Sequence, residues 1–447
     1  MPEHHVRRAD VQVLVTTRAT HQFLVSPACP VVAHAPREER DASARPRLSS
    51  ICIAIMAAAG GIAVANLYYN QPMLPDIGRS FGVSANVIAV LPMLTQVGYA
   101  LGLFLFVPLG DTLDRHRLVL GLLLGVVVSL VGLAVAPSLA WLDAASLTLG
   151  MTSAVAQVLV AFAAQLSSPQ HRGRVVGTLQ AGILVGILLA RTVSGTVSAH
   201  LGWRAMFWLA AAANLGLLVL MHRALPRLPP PESLPYLRAL ASLKGLWRSY
   251  PQLRTSSLIG ALMFAAFSVF WSTLAFRLGA PPFGYGPQAA GLFGLLGVAG
   301  AAGAPLAGRL TDSRGPAFTV ATGTLSATAA FVVFMLADGS LPMLALGVVV
   351  LDLGTLVAMN GNQSTILSLA PHATSRTNTI YMVCYFAGGA LGSYSGGLAW
   401  HHFGWPGVSA LGLLYGCAAV VVRFVAWVPS DRERDRARVL PFMPKVN

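Results

Sequence analysis

The chain has 447 residues, of which 55% are hydrophobic and only 10% charged, and its formal net charge at pH 7 is +14. Because a soluble domain carries roughly 25% charged residues, this composition excludes an ordinary soluble protein. The basic excess lies in short segments between apolar runs and at both ends of the chain, which argues against nucleic-acid binding. The four cysteines form no C-x-x-C pair, so neither a disulfide framework nor a zinc site is predicted.

Residues 1–50 contain seven arginines and scattered prolines without sustained periodicity. This composition predicts a disordered cytoplasmic tail, or an over-long start, without a cleavable signal peptide. Six apolar runs follow, each close to the ~20 residues that a helix needs to cross a bilayer. They lie at about 51–69, 87–109, 118–136, 140–166, 175–198 and 204–222.

A polar insert at about 223–253 separates these runs from a second set of six. It contains a basic, amphipathic stretch from Tyr236 to Arg248, which predicts an interfacial helix lying on anionic lipid. The second set lies at about 254–276, 288–309, 317–337, 342–369, 378–399 and 406–427. We therefore predict an all-α polytopic membrane protein with twelve transmembrane helices. Its parts are two six-helix bundles at 51–222 and 254–427, the cytoplasmic linker 223–253, and a cytoplasmic tail at 428–447.

The basic residues also predict the orientation of the bundles. With a cytoplasmic N-terminus, the inner segments collect about 26 of the 30 Lys and Arg residues, and an even number of helices returns the C-terminus to the cytoplasm. Only Arg79, Arg204 and Arg277 lie near the outer ends, and Arg191 lies within a predicted helix. This bias predicts a multi-pass protein of a bacterial-type inner membrane with both termini cytoplasmic.

The two halves of the chain carry matching sequence features. A charged Gly-x-x-x-Asp turn at 110–117 recurs in weaker form at 308–314. A second repeat aligns Gly186 with Gly388, Gly195 with Gly397, and the segment 200–203 with 402–405. Co-registered glycine, histidine and tryptophan indicate a duplicated unit. We therefore expect the two bundles to be pseudo-symmetric, with a site at their interface.

At these positions the sequence resembles the major facilitator superfamily, over about 51–427. The run 110–117 is similar to that family's loop motif between helices 2 and 3. In helix 5, Arg191 stands where the motif of the drug–proton antiporters has proline, between flanking glycines that resemble theirs. The segments 66–72 and 385–393 are similar to a bacterial group of predicted efflux permeases. The resemblance implies the twelve-helix transporter fold and alternating access.

Two roles remain open for the charged run. Asp114 can accept hydrogen bonds from a neighbouring helix N-terminus, and Arg115 and Arg117 can pair with carboxylates across the seam between the halves. In the family this loop is taken to latch the cytoplasmic side of the outward-open state, which the resemblance implies for Asp114 and Arg115. The alternative is that the arginines only anchor the positive inner face. The gating residues in the two copies are Gly110, Asp114, Arg115, Arg117, Gly308, Asp312 and Arg314, and the fully charged first copy is expected to dominate.

Ionisable residues inside predicted helices are the candidates for proton coupling, because such residues are costly in a bilayer and usually functional. Asp352 lies about ten residues into its run, which places it ~15 Å deep, near the bilayer centre. It is the preferred proton-binding residue, and a structural acceptor is the alternative. Arg191 and Asp143 are predicted at similar depth in consecutive helices. A structural ion pair between them, a role in substrate or proton coupling, and simple snorkelling of Arg191 all remain open.

Uncharged polar and aromatic residues outline a candidate cavity between the halves. Helices 1, 4, 7 and 10 line the cavity in the resembled fold, and amides and aromatic rings there suit a neutral or weakly charged organic molecule. The candidates are Asn66, Tyr69, Asn70, Gln96, Gln157, Trp271, Asn360, Asn362, Gln363, Tyr381 and Tyr385. For any one of them, interhelical hydrogen bonding is the alternative. Small residues that permit close helix packing are Gly177, Gly186, Gly195, Gly388 and Gly397.

These features predict a secondary transporter working by alternating access, most simply an exporter of small organic compounds driven by proton influx. A proton symporter or a facilitator for uptake is the alternative, and a polytopic membrane enzyme is a remote one. No nucleotide-binding loop occurs in the sequence, so an ion gradient would supply the energy. We expect no cofactor and no metal site, because His401 and His402 are adjacent residues without further ligands. The expected partners are a small-molecule substrate, protons and the lipid bilayer, and the expected state is a monomer.

Overall fold

Helices account for most of the chain in the computed structural model, which describes residues 49–110, 112–168, 170–225, 236–298, 303–337, 339–370 and 373–425. Within these ranges there is no β-strand, and the predicted all-α class is confirmed. The predicted tails lie almost entirely outside the described residues. The first half contains α1 (Ser50–Phe81), α2 (Ala85–Leu109), α3 (Arg115–Ala134), α4 (Leu139–Leu166), α5 (Arg172–Leu201) and α6 (Trp203–Ala224).

The second half begins after a linker helix, Tyr236–Ser249. It contains α7 (Pro251–Gly279), α8 in the segments Pro287–Phe293 and Ala304–Arg314, α9 (Pro316–Leu336), α10 (Leu341–Leu369) and the stretch Thr374–Val425. A kink at Gly404 divides this last stretch into α11 (374–403) and α12 (405–425). The part of the chain that the structure describes thus has ten stretches long and apolar enough to cross a bilayer. These stretches hold eleven helices, and the described segments of α8 lie at the place of the remaining predicted helix.

The first helix is interrupted near its centre. It is helical to Ala65 and again from Asn70, and at the break the Leu67 amide bonds three residues back rather than four. Pro72 explains the break, because a proline ring clashes with the carbonyl four residues earlier, which here belongs to Tyr68, and offers no N–H. The turn rotates one part of α1 about the helix axis relative to the other. This rotation determines which residues near the break face the interior.

Both halves contain a sharp helix–helix junction at the same point of the repeat. Gly202 (φ 80°) joins α5 to α6, and Gly404 (φ 62°) joins α11 to α12. A positive φ is readily adopted only by glycine, so one residue suffices to reverse the chain. Each following tryptophan then donates its indole N–H to another helix of its own half: Trp203 to Ser80 Oγ of α1 and Trp405 to the Phe334 carbonyl of α9, both at 3.0 Å.

The two copies of the charged turn differ in structure. In the first copy α2 ends at Leu109, and α3 begins at Arg115 with Asp114 as its N-cap. In the second copy the predicted loop is wrong, because the polar run is the last part of α8, which stays helical to Arg314. The chain reverses only at Gly315 (φ 85°). After Gly308 the run contains no glycine or proline, and polarity alone does not end a helix.

Glycines allow several helix pairs to cross backbone to backbone. A Cβ at Gly186 of α5 would lie 2.2 Å from the Gly61 carbonyl of α1, and one at Gly388 of α11 would lie 2.1 Å from the Ala261 carbonyl of α7. Gly177 differs from the packing prediction, since a Cβ there would meet no atom within 4 Å. Gly177 lies in α5 like Gly186, but on an exposed face that no described residue covers at this point.

Candidate functional site

A cavity of about 490 Å³ lies between the two halves. Its walls come from α1, α2, α4 and α5 of the first half and from α7, α8, α10 and α11 of the second. It extends from Arg191, about two thirds along α5, and Asp352, near the middle of α10, to Val107 near the end of α2 and Thr374 at the start of α11. We call the end of the bundle that carries the turn 110–114 the loop face. The cavity therefore reaches the loop face.

The halves are sealed together on the opposite face. Gln96 of α2 donates its Nε2 hydrogen to Ser393 Oγ of α11 at 2.8 Å, and a Cβ at Gly397 would lie 2.1 Å from that of Ala89. A Cβ at Gly195 of α5 would lie 2.4 Å from the Pro287 carbonyl at the start of α8. Beyond this seal lies a second pocket of about 580 Å³, whose lining includes Asp76, Arg79 and Trp400.

Arg191 of α5 lies at the inner end of the cavity and is only 2% exposed. Its Nε donates to Gln71 Oε1 at 2.8 Å, across the interface with α1. The guanidinium carbon lies 3.9 Å from the ring centre of Trp271 and 4.9 Å from that of Tyr68, distances typical of cation–π contacts. Its Nη2 is buried and has no hydrogen-bond partner among the described residues.

Asp352 of α10 faces Arg191 from the other half. Its Oδ1 accepts the indole N–H of Trp271 at 3.2 Å. Trp271 therefore holds the carboxylate at the edge of its ring while Arg191 stacks on the face. Within the described residues no ion pair closer than 4 Å joins Arg191 and Asp352. Two opposite charges, one from each half, thus share one cavity without direct contact.

The alternative of an ion pair between Arg191 and Asp143 is wrong. Arg191 bonds Gln71 instead, and Asp143 is absent from the cavity wall. The part of α4 that carries Asp143 packs against α2 and α3, whereas α5 packs against α1. Helices α4 and α5 are consecutive in the sequence, and the two charged residues are predicted at similar depth along them. The part of α4 that carries Asp143 does not pack against α5, so the two charges do not meet.

The predicted cavity residues divide into two groups. Gln157, Gln363 and Tyr385 line the cavity, and Trp271 stands directly behind its two charged residues. The others are absent from the cavity lining: Asn66, Tyr69, Asn70, Gln96, Asn360, Asn362 and Tyr381.

Several of that second group have structural partners instead. Asn70 donates to Thr95 Oγ1 at 3.3 Å, between α1 and α2. Asn360 donates to the Leu356 carbonyl within α10 at 3.1 Å. The Asn70 contact is the interhelical hydrogen bonding that is the alternative for any single polar residue, whereas Asn360 bonds within its own helix.

An aromatic wall was only partly foreseen from the sequence. Phe264 of α7 stacks on Tyr385 at 4.1 Å between ring centres, and Tyr99 of α2 packs edge-on against Phe386 at 4.4 Å. Tyr68 faces the cavity, whereas the predicted Tyr69 does not. The break in α1 changes the rotation of the residues around it and so determines which of the two tyrosines faces the cavity. A regular helical pattern read from the sequence does not predict this change. The polar lining also includes residues of α5 and α11 that were not predicted, such as Gln180 and Asn378.

The residues of the charged turn make contacts inside the first half. Asp114 accepts the His116 amide of its own helix at 3.0 Å, not that of a neighbouring helix. Arg115 donates to the Gly110 carbonyl at 2.7 Å and to the Ala161 carbonyl of α4 at 3.0 Å. Arg117 lies 3.7 Å from the Asp114 carboxylate. In the second copy, Arg314 stacks on Phe318 at 4.8 Å, and Gly308 has open space around it.

Comparisons with known proteins agree with this architecture. A model of the Major Facilitator Superfamily matches residues 51–393. The uncharacterized transporter YgaY of Escherichia coli O157:H7 is 40% identical over 390 residues, covering 87% of this chain and 98% of that protein. The probable transporter SCO4007 of Streptomyces coelicolor is 33% identical over 399 residues, covering 88% and 92%. In fold, the chain is similar to a bacterial homologue of the human lysosomal transporter Spinster, with a TM-score of 0.68, 16% identity, and coverage of 84% and 95%. This chain therefore belongs to the Major Facilitator Superfamily, and it is a multi-pass membrane transporter rather than an enzyme.

Proposed function

We propose that this transporter couples the movement of a small organic compound to protons, and that Asp352 is the proton-binding group. The observation that carries the proposal is the placement of Asp352 and Arg191 in one cavity, each from a different half, without a direct ion pair. A carboxylate at membrane depth is costly, and a proton removes its charge. Loading and unloading Asp352 therefore changes the charge of the cavity at the place where the halves meet.

Alternating access fits the two pockets. The cavity reaches the loop face, and the second pocket lies beyond the seal on the opposite face. If the basic segments lie in the cytoplasm, as their bias favours, the conformation is inward-facing with both termini cytoplasmic. The Spinster homologue that shares the fold was solved in an inward-facing, unoccupied conformation. In the opposite conformation the turn at 110–117 is our candidate latch for the loop face, with Asp114 and Arg115 at its centre.

Export in exchange for protons is the direction that the sequence resemblance to drug–proton antiporters favours. Such exchange requires that the proton and the substrate exclude each other from the cavity. The second candidate is co-transport of the proton and the substrate. One observation favours it: Arg191 remains as a buried positive charge when Asp352 is protonated, so that a solute with a complementary charge would then bind better.

Proton binding by Asp352 can be tested without knowing the substrate. A pH jump on proteoliposomes adsorbed to a solid-supported membrane produces a transient current when protons bind inside the protein. We expect this current from the wild type and its loss in Asp352→Asn, which keeps the side chain's size but cannot ionise. Asp143→Asn is the matched control, because Asp143 is a helix carboxylate outside the cavity wall, and its current should persist. A normal current in Asp352→Asn would remove our assignment of the proton site.

The sign of coupling requires a transported compound. A toxicity or metabolite-accumulation screen with the expressed protein would supply one, and proteoliposomes loaded with a pH dye would then follow protons during its transport. Exchange moves protons against the direction of the compound, and co-transport moves them with it. Transport without proton movement would identify a facilitator and contradict the proposal.

A further inference from the structure

Arg191 makes no direct ion pair within the described part of the chain. Its Nε is bonded to the neutral amide of Gln71, its face is covered by the ring of Trp271 at 3.9 Å, and its Nη2 has no acceptor among the described residues. A guanidinium carries five N–H donors in a planar fork. A buried cation favours direct pairing and hydrogen bonding, and Arg191 has donor capacity that no described residue fills.

The nearest available carboxylate does not fill that role. Asp352 is held through its Oδ1 by the indole N–H of Trp271, and no direct ion pair with Arg191 forms within the described part of the chain. Trp271 thus separates the two charges while contacting both. Arg191 thus lines the cavity without a direct carboxylate partner.

We infer that the substrates of this transporter are organic monoanions, whose carboxylate binds Arg191 and whose apolar or aromatic body lies against the cavity wall. The inference rests on the cavity and the proton site of the proposed function. The wall supplies the rings of Tyr68, Phe264, Phe267 and Tyr385. A volume of about 490 Å³ lies within the roughly 300–1,000 Å³ of small-molecule sites.

The charge of the substrate follows from the lining. Arg191 is the only lysine or arginine in the part of the cavity wall that the structure describes. One arginine fits one carboxylate through its planar fork, whereas phosphate or sulfate esters favour clustered basic groups. An organic cation would be repelled by the guanidinium whenever Asp352 carries a proton and no longer offsets that charge. A single-carboxylate compound is therefore the class that this wall recognises.

The same geometry determines whether the proton and the substrate anion favour or oppose each other's binding. An ionised Asp352 competes with the substrate carboxylate for Arg191 and repels it. A proton on Asp352 removes both effects, so the proton raises the affinity for the anion, and by reciprocity the anion raises the affinity for the proton. Binding of the two together selects co-transport over exchange.

Three probes with one ring system test the inference on the purified full-length protein in detergent. They are naphthalene-2-carboxylate, the neutral naphthalene-2-carboxamide, and the cationic naphthalen-2-ylmethylammonium, with binding followed by thermal shift and by quenching of tryptophan fluorescence. We expect the carboxylate to bind about tenfold more tightly than the other two, a ratio expected of a hydrogen bond to a charged group. Its affinity should rise as the pH falls through the range in which the probe stays ionised.

Two variants test the contributions of Arg191 and Asp352 to probe binding separately. Arg191→Gln should abolish the preference for the carboxylate, and Asp352→Asn should strengthen carboxylate binding and remove its pH dependence. Arg204→Gln is the matched control, because Arg204 also stacks on a tryptophan, Trp203, at 4.1 Å, but lies outside the cavity wall. It should bind all three probes as the wild type does. If Arg191→Gln does not fold, the Asp352→Asn result alone decides.

The outcomes distinguish this inference from the proposed function. Equal affinity of the wild type for the three probes, or carboxylate binding unchanged in Asp352→Asn, would overturn the anion assignment. The proposed function would still hold if Asp352→Asn abolished the pH-jump current. A persistent current in Asp352→Asn together with stronger carboxylate binding by that variant would instead remove the proton site and leave the anion site.

Discussion

At the scale of single residues, Trp271 organises the site by touching both charges. Its ring face supports Arg191, and its indole N–H donates to Asp352. The residue is 2% exposed and packs edge-on against Phe270 at 5.4 Å between ring centres, so its orientation is fixed by the core of the second half. We assign it a positioning role: it prevents Asp352 from closing onto Arg191.

Trp271→Phe tests this role, because it keeps an aromatic face and removes the indole N–H donor together with part of the ring. Without the indole N–H, Asp352 can turn toward Arg191 and compete with a carboxylate ligand. We expect weaker binding of naphthalene-2-carboxylate in Trp271→Phe, and no such loss when the same change is made in Asp352→Asn. The interaction energy from this double-mutant cycle should be about 0.5–3 kcal/mol. Equal losses in both backgrounds would show that Trp271 acts only through packing.

At the scale of the helices, close packing depends on where the glycines face. Gly186 lies on the side of α5 that meets α1, and a Cβ there would lie 2.2 Å from the Gly61 carbonyl. That distance is far below van der Waals contact and involves backbone on both sides. The crossing cannot absorb a methyl group without moving a helix. Because Arg191 and Gln71 meet at this same interface, the crossing also positions the site.

Gly177 and Gly186 form a matched pair for measuring this effect. Gly186→Ala should lower the thermal midpoint of the purified protein, since overpacking typically costs about 1–3 kcal/mol. Gly177→Ala should leave the midpoint unchanged or raise it, because a Cβ there meets no atom within 4 Å and alanine is the better helix former by up to ~1 kcal/mol. Scanning calorimetry in detergent checks both variants. Equal midpoints of the two variants would show that the crossing of α1 and α5 accommodates a methyl group at Gly186 without loss of stability, and would contradict the prediction.

At the scale of the whole molecule, the conformation is set by contacts on the face opposite the loop face. The hydrogen bond from Gln96 to Ser393 joins α2 to α11 across the two halves. The close approaches of Gly195 to Pro287 and of Gly397 to Ala89 lie at the same end. On the loop face the walls diverge around the cavity. Alternating access requires these contacts to break as the loop face closes, so their strength biases the equilibrium between the two conformations.

Ser393→Ala is expected to shift that equilibrium toward closure of the loop face. One hydrogen bond is worth about 0.5–1.5 kcal/mol, a change of severalfold in the population ratio. Spin labels on Ser168→Cys and Ser375→Cys, exposed residues of the two halves at the loop face, would report the shift as a larger fraction of short distances. Ser395→Ala is the control, because Ser395 bonds Tyr415 within the second half. A distance distribution that responds equally to both changes would refute the role of this seal.

By itself, the sequence determined the class of the protein, the positions of its helices and its family. Long apolar runs cannot fold in water, and unsatisfied backbone groups are too costly in a bilayer for anything but helices or closed barrels. Helical positions and the duplicated junction glycines are therefore local properties of the chain. The rarity of charge in apolar runs singled out Asp352 and Arg191 for the same reason.

Only the tertiary structure decided which of these residues meet. It placed Arg191 beside Gln71 and Trp271 rather than Asp143, faced Tyr68 rather than Tyr69 into the cavity, and kept the second charged run helical. Each outcome depends on the rotation of one helix about its axis and on which helices become neighbours. Those are set by packing across the whole bundle and by the break in α1, and neither is encoded in the local spacing of polar residues.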